Sequence, residues 1–187
     1  MKFYGIKICN CILFDDALTS TDKLILSSIA GLAKKRGECI ASNEYIANTL
    51  GVSWQAVSVC IAKAKKLKYI DRLPKKERVR HITISKGEMQ MNDGIYVRAD
   101  ILAIKDITST EKIILAAIDD ACHKEGDCNH TNRYFAQICN CTPDTVKKAL
   151  TDLEKKGLVT RSTYGPSRSL KLTFRKIIEK GALRMVI

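Results

Sequence analysis

Apolar side chains recur every three to four positions in two neighbouring stretches of the chain, residues 43–50 and 54–66, which predicts two amphipathic helices. Gly51 between them is of the residue type that ends a helix in the left-handed conformation, and Ser53 is of a type that caps the next helix. The apolar positions of the two helices are Tyr45, Ile46, Leu50, Val57, Ile61 and Ala64. We therefore predict a helix, a tight turn and a second helix.

The same pattern returns later in the chain. Gly94 corresponds to Gly5, an offset of 89 (94 − 5), and this offset holds without a gap as far as Arg72 and Arg161. Residues 19–21 and 108–110, for example, are both Thr-Ser-Thr. A register preserved over this length indicates an internal duplication, in which each copy is one structural unit.

Each copy is predicted to begin with an extended segment, Ile6–Leu13 in the first and Ile95–Leu102 in the second. A helix follows in each, because a threonine precedes an acidic residue by three positions, which is the spacing of a capping box. The residues concerned are Thr19 with Asp22 and Thr108 with Glu111. A short β segment near Cys39 and Cys128 then leads into the helix pair.

After each helix pair the apolar period changes to two, which predicts a β-hairpin with its turn at 74–77 in the first copy and at 164–167 in the second. Three helices followed by a hairpin describe a winged helix. We predict a mainly α fold with small β-hairpin wings (α+β), built as two tandem winged helix-turn-helix domains. The predicted domains are 1–85 and 94–187, the second with a short C-terminal tail, and 86–93 is the predicted linker.

The chain is strongly basic. Its 187 residues hold 32 Lys and Arg against 20 Asp and Glu, for a formal net charge of +12. An excess of this size favours nucleic acid, an anionic membrane or an acidic protein as partner. No apolar run reaches the ~20 residues that cross a bilayer, and the first eleven residues lack the apolar core of a signal peptide. We expect a cytoplasmic or nucleoid-associated protein with no membrane partner.

Eight cysteines raise the question of metal or disulfides. A reducing compartment disfavours disulfides. The C-x-C pairs (Cys9 with Cys11, Cys139 with Cys141) do not fit the spacing of structural zinc sites well, and Cys122, His123, Cys128 and His130 cluster around a predicted turn. We predict small packed thiols, no metal and no cofactor. The chain also lacks a glycine-rich phosphate loop and a credible catalytic cluster, so we do not expect an enzyme.

Three motifs in the first copy resemble a known group of proteins: LTSTDK at 18–23, ASNEYIANTLGVS at 41–53 and KLKYIDR at 66–72. They are similar to the winged helix-turn-helix modules of phage and plasmid replication-initiation proteins and of related mobile-element regulators. The second copy has looser versions, ITSTEK, HTNRYFAQICNCT and KKGLVTR. The resemblance implies binding of double-stranded DNA, in replication initiation or in transcription regulation of a mobile element.

The second helix of each pair is the predicted recognition helix, and the hairpin the predicted wing. Gln55 and Ser58 are placed to read base edges, unless they are exposed polar filler, and Asp144 can accept a hydrogen bond from a cytosine amine. Lysine and arginine at the helix ends and wings are placed for phosphates, or else form a solvated surface. The predicted DNA-binding residues are Ser53, Trp54, Gln55, Ser58, Lys63, Lys75, Lys76, Arg78, Thr142, Asp144, Lys147, Lys148, Thr151, Arg168 and Lys171.

Trp54 has two alternative roles, against DNA or over the core beside the turn. Val59 and Cys60 are expected near the same surface, whereas Tyr45 and Tyr134 are expected in the core. An apolar surface on a recognition helix also suits a different class of function, a protein–protein module acting as an inhibitor or scaffold, and the sequence leaves a homodimer open. The basic wing opposes the protein-binding alternative.

Overall fold

A computed structural model describes residues 5–34, 37–76, 79–85, 93–164 and 167–173, with the backbone alone at 72–76, 79–80, 164 and 167. The first copy consists of β1 (Gly5–Cys9), α1 (Asn10–Leu13), α2 (Ser20–Lys34), α3 (Asn43–Leu50), α4 (Trp54–Lys66), β2 (Ile70–Lys76) and β3 (Val79–Ile84). The second consists of β4 (Gly94–Arg98), α5 (Ala99–Ala103), α6 (Ser109–Glu125), α7 (Asn132–Cys139), α8 (Pro143–Lys155), β5 (Val159–Tyr164) and β6 (Ser167–Leu172). The predicted mainly α class with hairpin wings is confirmed.

The opening segment of each copy differs from the prediction. Only its first half is a strand, and the chain then makes a short helix, α1 or α5, that was predicted as extended. In α1 the two residues that point into the core are adjacent, Ile12 and Leu13. Two successive buried residues fit a buried strand or a short helix equally well, so their pattern does not separate the two.

Local side-chain caps explain where the longer helices begin. Thr108 and Glu111 form the predicted capping box at α6, and Thr19 with Asp22 makes the same two hydrogen bonds at α2, with 3.0 and 3.2 Å between the paired atoms. Ser53 caps α4, as its position predicted. The helix-turn-helix therefore follows from residue types within a few positions of each boundary.

The turn between the paired helices needs a left-handed residue in both copies. Gly51 ends α3 with φ of 68°, and Asn140 ends α7 with φ of 50°. Asn is among the few other residue types that adopt this conformation without large strain. The Asn140 side chain also donates to the Leu18 carbonyl of the other copy, 3.4 Å away, which Gly51 has no side chain to do.

Each wing is an antiparallel hairpin, β2 with β3 and β5 with β6. A single bridge joins it to the segment before the helix pair, Cys39 to Ile82 in the first copy and Cys128 to Leu170 in the second. The predicted short β segments are therefore confirmed as one-residue bridges. Their backbone hydrogen bonds of 2.8–3.2 Å hold each wing against its helix pair.

The two copies share one sheet through their first strands. β1 pairs with β4 antiparallel, with Lys7 opposite its own counterpart Tyr96. On either side of this central pair, Gly5 lies opposite Arg98 and Cys9 lies opposite Gly94. Exchanging the two copies maps this set of pairs onto itself, which is the mark of a two-fold axis rather than a translation.

Helices α2 and α6 meet across the same axis. Ser20 bonds with Thr110 at 3.1 Å, and Thr21 bonds with Ser109 at 3.0 Å, so each contact is the image of the other. Buried residues from both copies form one continuous apolar cluster. The copies are therefore related by an approximate two-fold axis and pack as partners in a dimer do. Apart from Asp93, the predicted linker 86–93 lies outside the described residues, and the division there stays a prediction.

Two buried lysines close this interface. Lys23 of α2 donates to the Leu13 carbonyl of its own copy and to Ile138 of the other, at 2.8 and 2.9 Å. Lys112 of α6 donates to Leu102 of its own copy and Leu50 of the other, at 2.9 and 2.7 Å. The accepting carbonyls lie at or near helix C-termini, where positive charge is favourable. Burial nevertheless lowers the pKa of both lysines.

Candidate nucleic-acid interface

Helix α4 is anchored by its inner face. Val57, Cys60, Ile61 and Ala64 are buried, which confirms the predicted inward positions but corrects Cys60, expected near the surface. Its thiol instead points at α2, with 3.7 Å from Sγ to the Asp22 carbonyl oxygen. Position 60 follows Val57 by three residues, so it lies on the buried side of the helix.

The outer face of α4 is uncharged along most of its length. Trp54 and Val59 are 57% and 66% exposed, and Gln55, Ser58 and Ala62 are exposed beside them. Trp54 therefore does not cover the core, which removes one of its two alternatives. Tyr45 on α3 was expected in the core and is 50% exposed, whereas its counterpart Tyr134 is partly buried and stacks with His130 at 4.1 Å between ring centroids.

Lys63 has an intramolecular partner. Its ammonium lies 2.7 Å from the Asp22 carboxylate, which belongs to the cap of α2. Burial by itself raises the pKa of Asp22, but hydrogen bonds from Lys63 and Thr19 outweigh it and hold this pKa below its ordinary value. In the second copy Lys156 approaches the equivalent Glu111 at 3.2 Å. These ion pairs fix the orientation of α4 against α2 and of α8 against α6.

We expect Asp22→Asn to lower the free energy of unfolding at neutral pH by about 1 kcal/mol, because Asn keeps an acceptor for Thr19 but loses the charge facing Lys63. Since the folded-state pKa of Asp22 is depressed, its contribution is present above the unfolded value of about 3.9 and is lost as pH falls through the folded value. Urea unfolding at pH 7 and pH 3 measures this. If Asp22→Asn lowered the free energy of unfolding equally at both pH values, the expected contribution of the Asp22 charge would be contradicted.

Helix α8 presents a different outer face. Lys147 and Lys148 project outward together with acidic, hydroxyl and further basic side chains, and the face lines one open concavity. Its lining residues are Asp144, Lys147, Lys148, Thr151, Asp152 and Lys155. Among the described residues, no ion pair involves Lys147, Lys148 or Lys155. Three ammonium groups on one exposed face are suited to a polyanion.

Ser53 and Thr142 both serve as helix N-caps, where their oxygens accept from the amides of Ala56 and Thr145 at 3.2 and 3.3 Å. The Ser53 hydroxyl still has its own proton to donate, whereas the Thr142 hydroxyl also shares a hydrogen bond of 3.0 Å with the Thr145 hydroxyl and keeps a free lone pair or proton according to which of the two donates. Both side chains are exposed. The caps and the predicted DNA contacts are therefore compatible.

The predicted DNA-binding residues of the wings either lie outside the described side chains or have partners within the protein. Lys75, Lys76 and Arg78 lie outside the described side chains. Arg168 is partly buried and donates to the Asn132 side chain and the His130 carbonyl, both at 2.6 Å. Lys171 is 57% exposed at its side chain and pairs with Asp127 at 2.8 Å. Arg168 thus joins the wing to the start of α7, a role that its position in the hairpin did not reveal.

Sequence reasoning did not single out Lys155 as a DNA contact, although its spacing of four and seven positions from Thr151 and Lys148 places it on the same helical face. Lys65 and Lys66 were likewise noted only as part of a basic stretch and were not predicted as individual DNA contacts. Both are exposed at the end of α4. Helical spacing from the chosen positions was the signal that could have found all three.

All eight cysteines are free thiols, and among the described residues no group of three or more His, Cys, Asp or Glu side chains is arranged to hold a metal ion. One thiol stands out. A hydrogen bond from Cys139, assisted by the charge of Lys23, lowers the pKa of Cys141 to about 7. Cys141 lies in the turn directly before α8.

Within the described part of the chain, no helix has the length and apolar character to cross a membrane.

A family model described as a helix-turn-helix domain matches the chain twice, at residues 16–70 and 105–159. The matches together cover more than half of the chain, and they start 89 positions apart (105 − 16), the offset of the duplication. Helix-turn-helix domains indicate DNA binding in general, and the match indicates no catalytic family.

No curated protein matches the chain. Among solved structures, the DIP2311 protein from Corynebacterium diphtheriae is similar over 80% of this chain and 26% of its own length. The two are 12% identical, with a TM-score of 0.27. This chain therefore spans about a quarter of the length of that protein.

Proposed function

This chain belongs to the helix-turn-helix domain family, and from that premise we propose that it binds double-stranded DNA sequence-specifically through both recognition helices, α4 and α8. The observation that carries the proposal is the outer face of α8, where Lys147, Lys148 and Lys155 are exposed together. A recognition helix in this position enters the major groove. Its lysines then reach phosphates and guanine edges, while Asp144 and Thr151 face the bases.

Helix α4 contributes a face of a different character. Gln55 and Ser58 carry hydrogen-bonding groups for base edges, and Trp54 and Val59 offer apolar surface to thymine methyl groups. Positive charge follows at its end, where Lys65 and Lys66 are exposed. The formal charge of +12 supplies the non-specific attraction that brings such a protein to DNA.

Fluorescence anisotropy across a salt series tests the proposal, with a random 30-base-pair duplex and the DNA that flanks the gene as ligands. We expect affinity to fall steeply with salt and one flanking fragment to bind about a hundredfold more tightly than the random duplex. Weak binding without preference would overturn sequence-specific recognition.

We further propose that this binding serves replication initiation or transcription regulation of a phage, plasmid or other mobile element. The motifs at 18–23, 41–53 and 66–72, which resemble modules of such proteins, support this role. Footprinting over the flanking DNA separates the two processes, because a site overlapping a promoter indicates regulation and a site within a replication origin indicates initiation. A plasmid-maintenance assay and a promoter reporter then measure each directly.

A second candidate, a protein–protein module, is favoured by one observation. Trp54, Val59 and Tyr45 are each at least half exposed in the first helix pair, and tryptophan and tyrosine at such exposure are typical of interface anchors. In this alternative α4 binds another protein, and α8 alone contacts DNA.

Trp54→Ala distinguishes the candidates. If α4 enters DNA, we expect about a tenfold loss of DNA affinity with an unchanged melting temperature, because a side chain that is 57% exposed adds little to the core. Phe14→Ala is the matched control, since Phe14 is 42% exposed but lies after α1, outside the helix pairs. DNA affinity unaffected by Trp54→Ala would favour the protein-binding alternative.

A further inference from the structure

We infer that the DNA site consists of two unlike half-sites in inverted orientation, both read by a single chain. The inference rests on the proposed function and specifies its ligand. A tandem duplication by itself suggests a direct repeat in the DNA, because two identical modules in succession can follow each other along a groove. The packing of the two copies favours an inverted arrangement instead.

The relation between the copies is a rotation. The strand pair β1 and β4 has Lys7 opposite its counterpart Tyr96, and the α2–α6 contacts are reciprocal, Ser20 to Thr110 and Thr21 to Ser109. A translation would place each residue beside a non-equivalent one along a common direction. A two-fold rotation instead reverses the direction of every element perpendicular to its axis.

Double-stranded DNA has its own two-fold axes perpendicular to the duplex, so a protein with a two-fold axis presents its recognition helices to inverted half-sites. A rotation leaves unchanged the component of any direction that is parallel to its axis. The outward directions of α4 and α8 therefore have equal components along the two-fold axis. We therefore place both recognition helices on the same side of the molecule, facing one duplex. Because both copies are built into one core and one sheet, their separation is set by the fold rather than by a linker.

The two half-sites differ because the recognition faces differ. Along α8, the Lys147 and Lys148 ammonium groups match the O6 and N7 acceptors of guanine, and Asp144 matches the N4 donor of cytosine. This half-site is rich in G·C pairs. Along α4, Gln55 matches adenine, and Val59 and Ala62 match thymine methyl groups, which makes the other half-site rich in A·T pairs.

The first experiment selects ligands for the full chain from a random 30-base-pair library and measures the stoichiometry of the selected complex. We expect one chain per duplex and one A·T-rich and one G·C-rich half-site. Inserting five base pairs between them turns one half-site to the opposite side of the duplex, and we expect it to reduce affinity at least tenfold, to that of the stronger half-site alone.

Orientation cannot be read from two dissimilar sequences, so a second experiment makes the recognition faces alike. The variant carries the α8 side chains on α4 at positions 89 residues earlier: Gln55→Asp, Ser58→Lys, Val59→Lys and Ala62→Thr. All four positions are exposed, and a melting curve checks the fold. In the same selection we expect this variant to choose a palindrome of two G·C-rich half-sites.

The other outcomes overturn the inference. A direct repeat chosen by the variant would contradict the two-fold arrangement on DNA, and a single half-site or two duplexes bound by one chain would contradict joint recognition. In each of these cases the wild-type chain still binds a specific sequence, so sequence-specific DNA binding stands; a single half-site would remove only the assignment of DNA contacts to both recognition helices. Failure of the wild-type chain to select any sequence would instead overturn the proposed function itself.

Discussion

Reversing the charge of both Lys147 and Lys148 to Glu is expected to lower DNA affinity about a hundredfold at low salt. The two ammonium groups lie on the outer face of α8, and no ion pair among the described residues involves either of them. A lysine bound at the DNA surface, whether at a guanine or at a phosphate, displaces condensed counterions, so its loss lowers the salt slope by close to one unit. We therefore expect the slope to fall by about two units, measured by anisotropy between 50 and 300 mM salt.

A matched control carries the same change in net charge elsewhere. Lys34→Glu with Lys105→Glu alters two exposed lysines that lie outside the recognition helices, and among the described residues neither forms an ion pair. We expect this control to change affinity only through net charge, by less than about tenfold. Equal reductions in affinity for both double variants would show that α8 makes no particular contact with DNA.

Lys112→Met is expected to have the largest effect on stability, lowering the free energy of unfolding by about 2 kcal/mol. Lys112 is 2% exposed and donates to two carbonyls, Leu50 at 2.7 Å and Leu102 at 2.9 Å. Methionine fills the same volume but leaves both oxygens buried without a donor. Part of the destabilisation is offset, because the variant no longer buries a charge. Urea unfolding measures the difference, with exposed Lys105→Met as the control.

The pH dependence gives this prediction a second signature. Burial lowers the folded-state pKa of Lys112 below its unfolded value of about 10.4, so in the interval between the two the unfolded chain binds more protons. Wild-type stability therefore gains a contribution as pH rises through that interval, which the Met variant lacks. The difference in unfolding free energy between the two proteins should widen from pH 7 towards pH 10. A variant as stable as the wild type at both pH values would show that Lys112 does not hold the copies together.

The features that could be predicted from sequence are those set by near neighbours in the chain. The caps at Ser53 and Thr108 and the left-handed turn at Gly51 depend on residues within a few positions. The buried faces of α4 and α8 follow from helical period. The outer faces are then what remains, which is why Gln55, Ser58, Lys147 and Lys148 were found as exposed candidates.

The features that could not be predicted depend on partners distant in sequence. Lys63 was expected at a phosphate but faces Asp22, and Arg168 was expected at a phosphate but bonds to Asn132. The sequence does not show whether a charged residue is solvated, contacts DNA or pairs with a carboxylate 41 positions away. Composition alone does not decide between these.

By itself, the sequence determined that this protein is a duplication of one winged helix-turn-helix unit, because period, caps and turn residues act locally and recur in register 89 residues apart. Only the tertiary structure decided how the two units are arranged. The pairing of β1 with β4 and the burial of Lys23 and Lys112 between the copies join residues far apart in the chain. Such contacts depend on the shape of a shared core, and that shape makes the tandem repeat a two-fold pair.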